Sequence, residues 1–296
     1  MKSQIIKSNL LLFLTAAIWG FAFVAQRVGM EYVGPFTYNG VRFALGSLSL
    51  VPLLLYFNRN SPKKETAGQE TKNVIRASFI AGLVLFAGAS LQQTGIVYTS
   101  AGKAAFITSL YIILVPIFGI FLKHHINANT WIGAAVSIVG LYLLSVTEQL
   151  SIEKGDLLEL IGSFFWAAHI LIIDHFSRKV DILKLSCFQF LTCSALSIVS
   201  ALFFESISVN GVLQAAVPIL YGGICSVGIA YTLQVVGQKN AKPSHAAIIL
   251  SMENVFAAVG GLILLNETMD LRGTLGCVLM FTGLLLSQLT FKKANL

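Results

Sequence analysis

The stretch "SHAAIILSMENVFAAVGGLILL", Ser244 to Leu265, is apolar enough to cross a membrane, yet it carries Glu253 and Asn254 near its middle. A span needs about 20 mainly apolar residues, because the hydrocarbon core is about 30 Å thick and a helix rises about 1.5 Å per residue. An unpaired ionised side chain at a helix centre costs about 2.5–3.5 kcal/mol on insertion scales. An acid kept there is therefore protonated, paired or turned to a wet cavity. In such surroundings it is a natural place to take up and release a proton. The plainer alternative is a structural acid hydrogen-bonded to a neighbouring helix.

The same texture fills the chain. Of 296 residues, 56% are hydrophobic and 11% charged, and the mean hydropathy is +0.79. A soluble domain of this length needs more charge to cover its surface, so the surrounding solvent is lipid. Ten candidate spans follow, at roughly 10–29, 36–57, 74–97, 102–122, 130–146, 156–176, 182–204, 212–236, 243–265 and 271–291. The first, "NLLLFLTAAIWGFAFVAQRVGM", follows Lys2 and Lys7 like a signal peptide. Its apolar run exceeds the roughly 7–15 residues of a signal core, and it reads as a retained first helix. Most connections are short; the polar "NRNSPKKETAGQETKN", Asn58 to Asn73, is the exception and reads as a mobile loop.

With a cytoplasmic amino terminus, fifteen of the 20 Lys and Arg residues fall on the cytoplasmic side. Arg27, Lys103, Lys154 and Arg272 fall on the other, and Arg42 lies within a span. This asymmetry places both termini in the cytoplasm. It also explains the net charge of +7 as topology, with some attraction to lipid headgroups, and leaves nucleic-acid binding without support. Cys187, Cys193, Cys225 and Cys277 lie in apolar runs without paired spacing. They read as buried thiols, and no zinc site or disulfide framework is indicated.

The chain repeats itself. A shift of 147 superposes Trp19 of "AIWGFAF" on Trp166 of "SFFWAAH", and "GVRFALGS" (Gly40 to Ser47) on "CFQFLTCS" (Cys187 to Ser194). A shift of 142 carries "LQQTG" (Leu91 to Gly95) onto "LQVVG" (Leu233 to Gly237), and one of 143 carries Gly133 and Gly140 onto Gly276 and Gly283. The halves, 1–147 and 148–296, each hold five spans. That number is odd, so the second half enters the membrane from the opposite side. The expected fold is all-α, with ten transmembrane helices in two inverted-topology five-helix repeats. Such symmetry is a route to alternating access around a midplane site.

The early Trp19-Gly20, Arg42-Phe43, Gln189-Phe190 and "LNETMDLRGTLGCVLMFTGLLL" (Leu265 to Leu286) in this order resemble the EamA family of the drug/metabolite transporter superfamily. Glu267 stands where that family carries an acid after the ninth helix. In the first half, "LKHHINANTWIG" has His124 at the corresponding place, a departure that withholds a shared ion-binding role from that loop. The resemblance spans essentially the whole chain. It implies export of amino acids or other small metabolites across a bacterial cytoplasmic (inner) membrane.

Polar residues within the spans are the candidate site. The shift of 142 sets Tyr111 opposite Glu253. Arg42 lies about 9 Å, and Glu253 about 18 Å, from the outer membrane face by helical rise, so the two are within reach of pairing. A guanidinium at position 42 can clamp a substrate carboxylate, or it can snorkel and tie helix ends. Trp19, Tyr38, Asn39, Gln92, Gln189 and Asn254 complete a mostly apolar ligand site with a few oriented polar groups; Gln26, Gln93 and Gln234 also suit interhelical bonding. His169 suits either a proton relay or a satisfied core histidine, and Asp174 and His175 read as interfacial. Lys103 opens the fourth span and reads as snorkelling. Pro116 and Pro218, inside spans, are candidate hinges.

These features favour a secondary transporter. A membrane enzyme handling a diphosphate needs a carboxylate cluster for Mg²⁺, and the acids read as lying within spans are Glu253 and Asp174. No Walker-type sequence occurs, and neither a metal nor another cofactor is called for. The partners expected are a small-molecule substrate, the bilayer and protons as coupling ion. Exporters of cationic drugs, nucleotide-sugar-type carriers and a channel or scaffold remain the alternatives. No feature of the sequence sets an oligomeric state.

Overall fold

A computed structural model of the chain describes residues 2–60, 67–98, 101–124, 126–145, 154–264 and 270–288. Glu267 and the middle of the 58–73 connection lie outside the described residues. Within them the secondary structure is entirely helical. The helices are α1 (Lys2–Gly29), α2 (Pro35–Asn60), α3 (Ala67–Tyr98), α4 (Ala101–Thr108), α5 (Tyr111–Phe121), α6 (Ala128–Ser145), α7 (Lys154–Ser177) and α8 (Ile182–Phe204). After α9 (Val209–Gln214) and α10 (Ala216–Leu220), Tyr221–Tyr231 winds as a π-helix, and α11 (Thr232–Gln238), α12 (Pro243–Leu250), α13 (Glu253–Leu264) and α14 (Leu271–Gln288) complete the chain.

Eight helical segments are long and apolar enough to cross a membrane: Ser3–Gly29, Pro35–Phe57, Thr71–Tyr98, Ala104–Phe121, Lys154–Ser177, Ile182–Phe204, Ala216–Gln238 and Pro243–Leu264. Ala128–Leu143 and Leu271–Ser287 are apolar but shorter, so two of the ten expected spans fall short of a full crossing within the described residues. Large apolar side chains such as Phe121, Leu202, Phe203 and Val217 stand exposed on the outside, whereas Asn39, Gln93, Glu159, His169 and Gln189 are fully buried. This is the arrangement of a multi-pass membrane protein. Lipid solvates the apolar surface, and polar groups must find partners inside.

Local chemistry starts several helices. Asp181 accepts from Lys184 N at the head of α8, Ser208 from Gly211 N at α9, and Asp270 from Gly273 N at α14, each satisfying an otherwise orphaned amide. α2 begins at Pro35, whose missing N–H costs nothing there, and borrows its cap from across the bundle. The Glu205 carboxylate, just after α8, accepts from Phe36 N (2.7 Å), Thr37 N (2.8 Å) and Thr37 Oγ1 (2.7 Å).

Packing between the halves is reciprocal. Ser47 Oγ of α2 donates to Cys187 O of α8 (3.0 Å), and its counterpart Ser194 Oγ donates back to Gly40 O (2.8 Å). Phe43 and Phe190, also counterparts, face each other with ring centroids 6.3 Å apart. α6 and α14 cross the same way. A Cβ on Gly133 would lie 2.6 Å from Gly283 O, and one on Gly140 2.6 Å from Gly276 O. Residue i of one half meets residue j of the other while the counterpart of j meets the counterpart of i. This is the contact pattern of a local two-fold axis.

Two spans are interrupted, at matching places. Between α4 and α5, Leu110 N bonds to Ile107 O, and Ile112 N to Ser109 O, three residues back. Between α12 and α13, Met252 N bonds to Ile249 O and Asn254 N to Ser251 O in the same manner. The tightened turns at Ser109–Leu110 and Ser251–Met252 are related by the shift of 142. Pro116 lies beyond the first interruption, inside continuous α5, and Pro218 sits in α10 just before the π-helix. The span thus tightens at Ser109–Leu110, where the i−3 bonds form, and not at the proline.

The glycine crossing leaves no room for a side chain, so Gly133→Val should overpack α6 against α14 and cost about 1–3 kcal/mol or more. Thermal unfolding in detergent should show this loss, while Leu285→Val, at a position 53% exposed to lipid, should leave the transition nearly unchanged.

Candidate functional site

The two interruptions face each other across the bundle. Tyr111, first residue of α5, donates from its hydroxyl to Glu253 Oε1 (2.9 Å), first residue of α13. Asn254 Nδ2 bonds to Ser109 Oγ and, at 3.1 Å, to Ser251 O. One broken span is thus stitched to the other by side chains from both turns. Each tightened turn sets the start of a shorter helix, α5 or α13, deep in the protein.

Beside this junction lies a cavity of about 40 Å³, room for a few waters. Glu253 and Tyr111 line it together with Trp19, Gln26, Arg42 and Gln92. Arg42 is buried, with Nε donating to Asn39 Oδ1 (2.9 Å) and the guanidinium 5.4 Å from the Tyr38 ring centroid and 4.9 Å from that of Phe43. Both rings are placed for cation–π contact. Asn39 in turn donates to Ala89 O of α3 (3.0 Å), and Tyr38 donates to Pro218 O (3.1 Å). These two residues hold Arg42 in place and do not themselves line the cavity. Arg42 and Glu253 do not pair with each other, since the acid's partner is Tyr111.

The π-helix supplies another wall. Its wider turns, rich in glycine at 222, 223 and 228, offer carbonyls to neighbouring helices. Trp19 Nε1 donates to Ser226 O (3.2 Å), Thr15 Oγ1 to Ala230 O (3.2 Å), and Tyr221 donates to Ile18 O (3.0 Å). Tyr231, at its end, lines the cavity and touches Trp19, Phe43, Trp166 and Phe190, with ring centroids 4.6–6.4 Å apart.

The structure brings Glu253, Tyr111, Arg42, Trp19 and Gln92 to one cavity. Asn254 lies behind it in the junction. His169 and Gln189 form a separate buried pair, Nε2 to Oε1 3.0 Å, beside Tyr231. Asp174 pairs with Arg178 at 2.8 Å. The sequence reading passed over Thr108, Ser226 and Tyr231, and it used Trp166 as a marker of the repeat without placing it in the site. It also took Glu253 and Asp174 as the acids within spans, which is incorrect: Glu159 of α7 is fully buried and accepts from Thr108 Oγ1 at 2.7 Å. The signal was present in "GDLLELIGSFFW", which puts Glu159 seven residues before Trp166. Among the described residues no group of three or more His, Cys, Asp or Glu is placed to hold a metal ion.

A lipid-facing helical bundle packed around a cavity with an acid, a guanidinium and aromatic walls is the build of a multi-pass transport protein. Comparison with known proteins agrees. The model of the EamA-like transporter family matches residues 6–146 and again 153–289. An uncharacterized transporter of Archaeoglobus fulgidus is 30% identical over 284 residues, covering 95% of this chain and 86% of that one. The uncharacterized transporter YoaV of Bacillus subtilis is 23% identical, with 93% and 94% covered, and the uncharacterized inner membrane transporter YedA of Escherichia coli K12 is 25% identical, with 88% and 83% covered. A crystal structure sharing 18% identity superposes with a TM-score of 0.78 over 95% of this chain and 96% of its own, a likeness of fold. The chain belongs to the EamA-like transporter family and is a membrane transporter.

Removing the hydroxyl in Tyr111→Phe deprives a buried carboxyl of its donor and should cost about 1.5–3 kcal/mol of stability. The same change made in a Glu253→Gln background should cost measurably less, a coupling that a double-mutant cycle of unfolding in detergent reads directly.

Proposed function

We infer that the protein is a proton-coupled secondary transporter that exports amino acids or related zwitterionic metabolites by alternating access. The observation that carries this reading is a guanidinium and a carboxyl presented to one cavity without pairing with each other. Arg42 is held by Asn39, Tyr38 and Phe43, and Glu253 by Tyr111. The guanidinium suits a substrate carboxylate and the acid suits an amine or a proton, while Trp19, Trp166 and Tyr231 offer apolar surface to the rest of the molecule.

Alternating access is supported by the reciprocal packing of the two halves, by the matched interruptions that meet at the cavity, and by the cavity's size. The cavity, about 40 Å³, is small beside a usual ligand pocket of about 300–1,000 Å³, so binding a metabolite is expected to part its walls. In the membrane the halves 1–147 and 148–296 are read as inverted repeats of five spans each, ten in all, with both termini cytoplasmic as the distribution of Lys and Arg argues. Exchange of conformation between the halves then opens the site to one side or the other.

An acid among aromatic rings also suits an organic cation. The two readings part at Arg42, since a zwitterion needs the guanidinium and a cation is repelled by it.

Uptake of a labelled amino-acid panel into inside-out vesicles, with and without an imposed pH gradient, tests the proposal. One substrate class should accumulate and cease to do so when the gradient is collapsed. Arg42→Gln should weaken apparent affinity by about tenfold or more, the loss expected for a charge-assisted bond, and Glu253→Gln should abolish gradient-driven accumulation. Normal accumulation in both variants would defeat the proposal. Uptake of organic cations that improves in Arg42→Gln would establish the second reading.

A further inference from the structure

The bundle buries a second carboxyl away from the junction. Glu159, in the second turn of α7, is fully buried; Oε2 accepts from Thr108 Oγ1 at 2.7 Å, and Oε1 has no hydrogen-bond partner. Its carboxyl rests on Gly95 of α3, where a Cβ would come within 2.9 Å of Cδ. Thr108 lines the central cavity, so a single hydrogen bond separates Glu159 from the cavity wall.

The repeat provides an internal control. The shift of 147 carries Glu159 onto Leu12, and the shift of 142 carries Gly95 onto Gly237 and Thr108 onto Leu250. Leu12 is fully buried and lies against Gly237, where a Cβ would come within 2.9 Å of its Cγ. Leu250 lines the cavity as Thr108 does. A leucine therefore fills this niche in one half, and shape alone does not call for an acid in the other. A carboxylate with one unpartnered oxygen is expensive to bury, whereas the neutral acid is tolerated.

We propose that Glu159, reached from the cavity through Thr108, is a proton-binding site present on one side of the cavity and absent from its twin. The transfer balances as a relay. When Thr108 Oγ1 accepts a proton from a cavity water, its own hydroxyl proton passes to Glu159 Oε2, leaving a neutral acid, an unchanged threonine and a hydroxide. Release reverses each step. The titratable group acting on it from its own helix is Asp156, one turn earlier on α7, and Arg27 of α1 holds Ile96 O beside Gly95 at 2.8 Å. By the topology inferred above, the polar niche lies on the outer side of the cavity and the leucine niche on the cytoplasmic side, so the two directions of opening meet different chemistry.

Infrared spectra of the full-length protein in lipid vesicles test this without a transported substrate. A carbonyl band of a protonated carboxylic acid at neutral pH should vanish in Glu159→Gln, persist in Glu253→Gln, and shift on transfer to D₂O as the acid exchanges. The double variant Thr108→Leu/Glu159→Leu copies the Leu250/Leu12 niche. It should keep the unfolding temperature of the parent and lose the band. Gly95→Ala, which crowds the carboxyl, should move the band. A spectrum unchanged by Glu159→Gln overturns the proposal, as does a Glu159 band that never exchanges in D₂O, since a sealed acid is no site. A Glu159 band that behaves as expected beside gradient-independent uptake would count against the proton-coupled export reading alone.

Discussion

Lipid accepts and donates no hydrogen bonds, and the interior of this bundle is arranged around that constraint. A polar group carried into the membrane is costly unless another group inside the bundle answers it. The hydroxyl of Tyr111 answers Glu253, Asn254 answers Ser109, and Trp19 answers the carbonyl of Ser226. These bonds lie at the places where the helices depart from regular winding. A broken turn frees backbone groups, and a π-helix misaligns them, so irregular backbone and polar side chains are found together. The cavity follows from the same economy, being where irregular segments of α4–α5, α12–α13 and Tyr221–Tyr231 converge.

The overall plan was legible because it rests on signals that survive averaging. Apolar length gave eight of the ten spans at full crossing length, and fixed shifts between the halves named counterparts that the structure pairs in space: Phe43 with Phe190, Tyr111 with Glu253, the glycines of α6 with those of α14. Glu253 and Arg42 stood out because charge inside an apolar run is costly wherever it points. The finer features lacked such markers. The breaks fall at Ser-Leu and Ser-Met, residues that do not interrupt helices by themselves, while Pro116, which often does, lies within a continuous helix. The π winding over Tyr221–Tyr231, bonded to α1 through Trp19, Thr15 and Tyr221, has no marker in the sequence, and Tyr231 at its end lines the cavity. Glu159 lies close to the charged start of α7, near Lys154 and Asp156, and its burial depends on the packing of α3 and α4 over it.

The halves share a scaffold but not a lining. The serine pair and the glycine crossing are reciprocal, whereas the cavity receives Arg42 from one half where the other offers Gln189, and Tyr111 where the other offers Glu253. Gln189, freed from the role of Arg42, is bound to His169 behind the wall. Symmetric contacts hold the bundle together while asymmetric side chains give the cavity its charge pattern. A site made of two identical halves would present two arginines or two acids to the same ligand, a poor match to a molecule with unlike ends.

The crossing of α6 and α14 has an implication for ancestry. Gly133 meets Gly283 as Gly276 meets Gly140, so the surface presented by one helix is the surface it receives. A self-complementary contact of this kind does not need a covalent link between its partners. Two free copies of a half-length chain would form the same crossing, and joining them end to end would change the entropy of association but not the interface. One half-length chain present in two copies would therefore supply both sides of this seam.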